Sequence, residues 1–339
     1  MSRQLKASED LENTYINERV KYLLPIFEAL APYKITDRKK GVAKIPGWEK
    51  LAASEARLLK INYPDLKPEA EKTYSTCLRQ ITALKKELKT ASKTNLKDPA
   101  LLHPVQTIIT NFGNALSFIF TEYKQKQNTI YRQDVKERSQ PESRVELDLS
   151  KYLERAHDLL KRISKGDKDS IDWRDISCAL ALATGRRMAE IHLSATFKQL
   201  DSHLISFTGQ LKGKTRRVDG VNLRNVEFQI PTLIPADLVC LGLQWLEQKD
   251  KRFEPSEDTE RVNRRWSKVL NEAAKDWGII PEMTYHKFRG AYLRASIVNS
   301  GIDPFDYLSY AQRILGDDDE STIKAYQRFT IKPGTLTKL

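Results

Sequence analysis

Apolar residues recur at helical spacing along most of this chain, and only the stretch between residues 203 and 233 alternates as β-strands do. That contrast restricts the fold class to a mainly α protein carrying one small β element. Tyr15, Val20, Leu23, Leu24, Phe27 and Leu30 share one face of an expected helix over 10–31. Similar patterns cover 50–60, 68–91 and 100–127, the last with Val105, Ile108, Ile109, Phe112, Leu116, Phe118 and Ile119 on one side. The stretch "YRQDVKERSQPESRVELD", from 131 to 148, is polar and contains Pro141, which is the composition of an exposed linker. The expected domains are a helical unit over 1–140, a linker over 141–149 and a second unit over 150–339.

The second unit is mixed α/β. Asp172 or Ser170 can cap a helix over 173–184, which Gly185 ends. "HLISFTGQLKGKTRR" and "NVEFQIPTL" then alternate around a polar, glycine-containing turn, the pattern of a hairpin or small sheet. Helical periodicity returns at 235–248, 257–276, 284–299, 304–315 and 320–329.

Charge narrows the partner. The 339 residues include 57 basic and 45 acidic side chains, a formal net charge of +12, which favours a polyanion, nucleic acid first. Residues 1–147 hold 26 of the basic and 18 of the acidic groups, so the helical first part is the more strongly basic. Lys39, Lys40 and Lys44 in "KITDRKKGVAKIPGWEK", with Lys85 and Lys86, are candidate phosphate contacts; a solvated face is the more common explanation of such lysines. Cys77, Cys178 and Cys240 lie far apart, with no CxxC or Cys/His spacing, so neither a disulfide framework nor a zinc site is expected. The N-terminus lacks an apolar h-region and no run of about 18 apolar residues occurs, so a cytoplasmic protein with no membrane span is expected, associated with the nucleoid or a replicon.

Chemistry concentrates in the second unit. "ATGRRMAEI" sets Arg186 and Arg187 after Gly185, with Glu190 three residues past Arg187 on the same helical face. Alone, Arg187 and Glu190 describe an ordinary local ion pair. Lys212 and Lys214 lie in "QLKGK" at the expected hairpin tip, where a lysine can reach a phosphodiester as a movable proton donor. "YHKFRGAY" places His286 and Arg289 three apart at a helix start. "ILGDDDESTIKAYQRF" puts Tyr326 on a short helix ten residues after Gly316.

In this order and at these intervals, the set resembles the tyrosine recombinase and type IB topoisomerase superfamily, and within it "ATGRRMAEI" is most similar to the telomere resolvases, or protelomerases. The resemblance covers about residues 150–330. It implies a tyrosine-recombinase-like catalytic domain that breaks and rejoins DNA through a 3′-phosphotyrosyl intermediate, with neither metal nor ATP as cofactor, converting a palindromic replicated junction into hairpin telomeres. Carried over residue by residue, Tyr326 is the nucleophile, Arg187 and Arg289 clamp the nonbridging oxygens, Lys212 protonates the leaving 5′-oxygen, and His286 donates to the phosphate or takes the tyrosine proton. Glu190 supports an arginine, and Arg186 goes to the DNA backbone or to an ion pair. The implied partner is a palindromic duplex bound by a homodimer.

Two departures accompany the resemblance. Asp317 follows "LG" where the superfamily usually has His or Trp, and a carboxylate facing the scissile phosphate repels it unless protonated or turned away. The chain also stops thirteen residues beyond Tyr326, so the extra C-terminal DNA-reading domain of the larger phage telomere resolvases is not expected. A conventional tyrosine recombinase or integrase is the alternative that shares these residues. A DNA-binding protein that no longer cleaves is the second, motivated by Asp317.

Overall fold

The structure, a computed structural model, describes residues 2–33, 35–37, 42–44, 47–62, 73–167, 170–211, 217–218, 220–254, 256–303, 306–316 and 320–334. The fold is mainly α with small sheets, as the periodicity requires. The chain divides into two compact units, Met1–Arg132 and Gln133–Leu339.

In the first unit, α1 (Ser2–Leu30), α2 (Trp48–Asn62), α3 (Thr73–Thr94) and α4 (Leu102–Ile119) carry the core, and a short antiparallel pair, β1 (Ile35–Asp37) and β2 (Val42–Lys44), follows α1. Leu23, Phe27, Leu59, Leu84, Leu88, Ile108 and Phe112 are buried together, with the Phe27 and Phe112 rings 5.2 Å apart. Glu55 is buried in α2. It accepts from the Tyr15 hydroxyl at 2.5 Å and from Arg19 Nε at 3.0 Å, so the charge is paired and hydrogen-bonded, as burial demands.

The expected helix over 100–127 is two helices: α4 ends at Ile119 with Phe120 as its C-cap, and α5 (Thr121–Ser139) follows at once. The stretch from 131 also departs from the linker expectation. α5 runs to Ser139, supported by Arg138 with Asp134 and by Gln133 with Glu137 at i,i+4 spacing. Residues 145–147 then form β3 (Val145–Leu147), and Leu147 and Leu149 are fully buried. The division between units falls inside α5.

In the second unit, α6 (Ser150–Ser164) and α8 (Ala236–Gln248) pack on α7 (Trp173–Thr184), whose residues from Ile176 to Thr184 are all buried. Asp172 caps α7 by accepting from the Arg174 N–H at 2.9 Å. The sheet has the order β4 (Thr196–Asp201), β5 (Leu204–Thr208), β8 (Phe228–Pro231), all antiparallel, so β5 and β8 fulfil the expected hairpin and β4 adds an edge strand. A two-stranded ribbon, β6 (Arg217–Val218) with β7 (Val221–Asn222), lies between them in sequence. α9 (Thr259–Trp277), α10 (Lys287–Ser300), α11 (Tyr307–Leu315) and α12 (Glu320–Ala325) complete the helices. β9 (Phe329–Ile331) returns to pair in parallel with β3, Val145 opposite Phe329. Among the described residues no helix is long and apolar enough to cross a membrane.

Candidate active site

The turn after α7 sets the site. Gly185 has φ +66°, and a Cβ built on it would stand 2.2 Å from Tyr292 Cδ1, so only glycine fits there. Arg186 and Arg187 leave the turn in different environments. Arg186, expected at the DNA backbone or in an ion pair, is instead 1% exposed. Its Nε donates to Thr184 O at 3.2 Å, its Nη2 to Ile314 O at 2.6 Å, and its guanidinium lies 4.5 Å from the Phe207 ring centroid. Burial first, then the neighbouring Arg289 charge, pushes its pKa down to about 10. The carbonyls at the end of α11 have no intrahelical donors, and this arginine supplies one.

Arg187 keeps its side chain 19% exposed and pairs through Nη1 with Glu190 Oε1 at 2.8 Å; its backbone N–H donates to Glu190 Oε2 at 2.9 Å. Glu190 is fully buried. Burial pulls its carboxyl pKa up, but the Arg187, Arg186 and Arg289 charges outweigh that and hold it below the ordinary carboxylate value. Three guanidiniums against one buried carboxylate leave the turn electropositive.

Arg289 differs from expectation. Lying on α10 at 1% exposure, it does not face the open cavity; Nη1 donates to Gly185 O at 2.7 Å and Nη2 to Leu315 O at 2.8 Å. It thereby ties the glycine turn to the "LG" segment, whose Gly316 O accepts from Gln210 Nε2 at 2.9 Å.

Tyr326 opens a 3₁₀ turn after α12 and is 5% exposed. Its hydroxyl lies 3.3 Å from His286 Nε2, the ring centroids 5.9 Å apart. Gly290, one turn along α10 from His286, makes room: a Cβ there would be 3.3 Å from Tyr326 Cδ1 and 2.8 Å from Phe329 Cε2. A cavity of about 550 Å³ opens beside this pair, its wall including Arg187, Leu211, Glu260, Asn263, Tyr285 and His286.

Thus Arg187 and His286 border one cavity, Tyr326 touches His286, and Arg289 and Glu190 lie beneath. Lys212, Lys214, Asp317, Lys39 and Lys40 lie outside the described residues, as does the side chain of Lys44. Lys85 is half-buried, its ammonium 3.4 Å from Asn114 Oδ1, while Lys86 is exposed on α3. The helix expected over 257–276 is α9, but the sequence reading missed the basic face it carries. Arg261, Arg264, Arg265 and Lys268 are exposed on it at i, i+3, i+4 and i+7, a basic stripe present in "RVNRRWSK".

Comparison with known proteins places this arrangement. Protelomerase TelA covalently complexed with substrate DNA is 17% identical, with a TM-score of 0.62 over 94% of each chain. A TelA variant complexed with DNA hairpin product gives the same TM-score over 84% of this chain and 82% of that one. Protelomerase TelK complexed with substrate DNA gives 0.51 at 19% identity, over 86% of this chain and 60% of that one. The fold is therefore that of the protelomerases. In sequence, the protelomerase of Yersinia phage PY54 is 28% identical over 203 residues, 55% of this chain and 32% of that protein, so the match spans about a third of the relative. The family described as the telomere resolvase ResT/TelK catalytic domain matches residues 143–329, and the chain belongs to it.

Proposed function

We propose that this chain cuts and rejoins duplex DNA through a 3′-phosphotyrosyl bond to Tyr326, and that it makes closed hairpin ends from a palindromic junction. The observation that carries the reading is the Tyr326 hydroxyl 3.3 Å from Nε2 of His286, which lines a cavity that Arg187 also borders. In the cleavage step the Tyr326 oxygen bonds to phosphorus and the bond from phosphorus to the 5′-oxygen breaks. The phenolic proton passes to His286 Nε2, and Lys212, the first lysine of "QLKGK", protonates the departing oxygen. Arg187 meets the charge that grows on the nonbridging oxygens. Arg289 and Arg186 hold the two turns that frame the phosphate rather than reaching it through solvent. The ester bond is conserved in the phosphotyrosine, so rejoining needs no ATP, and a 5′-hydroxyl from the opposite strand at a palindrome closes a hairpin.

Duplex DNA whose scissile phosphate sits at the cavity would run along α9, whose first residues line it and whose stripe of Arg264, Arg265 and Lys268 suits phosphates and base edges. A palindrome has two-fold symmetry, so two copies of the chain, one per strand, match it as a homodimer, acting where the replicon is kept. The test is incubation with a palindromic duplex nicked next to the cut, in EDTA and without ATP. A DNA adduct that vanishes in Tyr326→Phe while binding persists is the expected result; tight binding by wild type with no adduct overturns the reading.

A further inference from the structure

Residues Glu190–Ser194 form a π-helix, a rare winding that recurs at functional positions. Its first residue is the Glu190 that holds Arg187. A single short segment after α8 grips this winding at four points. Arg252 Nε donates to Ile191 O at 3.1 Å and its Nη2 to Ala195 O at 2.6 Å; the Phe253 N–H donates to His192 O at 2.7 Å; and Lys251 O lies 2.7 Å from His192 Nδ1.

His192 is fully buried, and its hydrogens can be assigned from the partners alone. A carbonyl only accepts, so Nδ1 carries the proton toward Lys251 O. Nε2 must then accept, and Ser177 Oγ, 2.7 Å away, donates to it. With its own hydrogen committed to His192, Ser177 Oγ accepts from the Tyr285 hydroxyl at 2.7 Å, and Ser177 O, 2.9 Å from the same hydroxyl, shares that hydrogen. Tyr285 immediately precedes His286, and its backbone N–H donates to Asn271 Oδ1 at 2.9 Å. Burial pushes the His192 pKa down to about 4, so the ring is neutral at physiological pH and the chain of donors stays in one state.

We propose that His192 and Arg252 are positioning residues for strand cleavage: they fix the π-helix that aims Arg187 through Glu190, and register it through Ser177 and Tyr285 against His286. Neither touches the phosphate. The inference rests on the cleavage reading above. Its physical content is that a guanidinium held loosely still attracts DNA but meets the developing charge in the wrong place, so chemistry suffers and affinity does not.

The experiment compares wild type, His192→Leu, His192→Asn and Arg252→Gln on two nicked duplexes. One has the ordinary scissile phosphate; the other has a methylphosphonate there, whose neutral methyl group replaces one charged oxygen. On the ordinary duplex, His192→Leu and Arg252→Gln are expected to slow adduct formation about 10-fold or more with unchanged DNA affinity. His192→Asn keeps a donor toward Lys251 O and should recover most of the rate. On the methylphosphonate, where little charge is left for Arg187 to neutralise, all four proteins should react within about twofold of one another. Equal slowing on both duplexes, or no slowing on the ordinary one, overturns the proposal. So does a wild type that reacts with the ordinary duplex alone, since Arg187 would then not act by neutralising charge. Should His192→Leu fail to fold, the partly accessible Arg252 site decides. Absence of any wild-type adduct on the ordinary duplex is a different failure and removes the cleavage reading itself.

Discussion

Replacing Gly185 by alanine should destabilise the second unit strongly, and the structure divides the cost into two parts. The backbone sits at φ +66°, the left-handed region, which costs an L-residue about 1–2 kcal/mol. The new methyl group would also stand 2.2 Å from Tyr292 Cδ1 and 2.8 Å from Cγ and Cε1. That ring has little room to yield: Tyr292 is fully buried and its hydroxyl donates to Pro231 O at 2.7 Å. Overpacking of this kind costs a further ~1–3 kcal/mol, for a total of about 2–5 kcal/mol. Gly301 supplies the control, because its φ is +61° but nothing lies within 4 Å of its would-be Cβ. Gly301→Ala should therefore show the backbone part alone. Urea unfolding followed by far-ultraviolet circular dichroism measures both variants, and a difference of about 2 kcal/mol between them corresponds to roughly 1 M in the midpoint. Adding Tyr292→Leu to Gly185→Ala should restore part of the loss. If Gly185→Ala loses no more than Gly301→Ala, the steric account of this turn is wrong.

Acid should weaken the fold through His192. Its folded pKa of about 4 lies below the ordinary 6.5, so its contribution is complete above pH 6.5 and declines as pH falls toward 4. By pH 5 the loss is about 2 kcal/mol. A His192→Asn variant should lack that part of the slope, and identical slopes in the two proteins between pH 5 and 7 refute the assignment. Glu190→Gln leaves three guanidiniums without their buried carboxylate and should cost about 2–4 kcal/mol at neutral pH, read as a lower melting temperature. The gap between wild type and this variant should narrow as pH falls below 4.5, because the wild-type carboxyl, held low when folded, loses its advantage there. Arg186→Met removes the donors to Thr184 O and Ile314 O and should lower stability by about 2–3 kcal/mol while leaving DNA affinity unchanged; a fall in affinity that is largest at low salt, with a shallower salt slope than wild type's, would instead make Arg186 a backbone contact.

Local chemistry was the legible part of this chain. α7 runs from 173 to 184 as its signals require, because Asp172 supplies an acceptor at one end and Gly185 a left-handed turn at the other. β5 and β8 were readable because their alternating faces lie against the core. β4 was not, since five of its six residues are exposed and "TFKQLD" presents only Phe197 inward. The polar run after 131 misled for a related reason: i,i+4 pairs sustain a solvated helix without any apolar stripe. At the site, residue type named Arg187, His286 and Tyr326 for one neighbourhood. It could not reveal that Arg186 and Arg289 are sunk among helix-end carbonyls, because those acceptors come from residues 314 and 315. The Ser177, His192 and Tyr285 network joins positions 15 and 108 apart, and no short motif encodes such a meeting.

The parallel pairing of β3 with β9 bears on the order in which the parts of the second unit come together. Val145 emerges from the ribosome 184 residues ahead of Phe329, the strand partner that sits three residues past Tyr326. Closing so long a loop comes late in folding, after the nearer helices have packed. A half-made chain can thus acquire its positively charged surfaces early, yet the segment that carries Tyr326 gains its strand partner only once residue 329 has been synthesised.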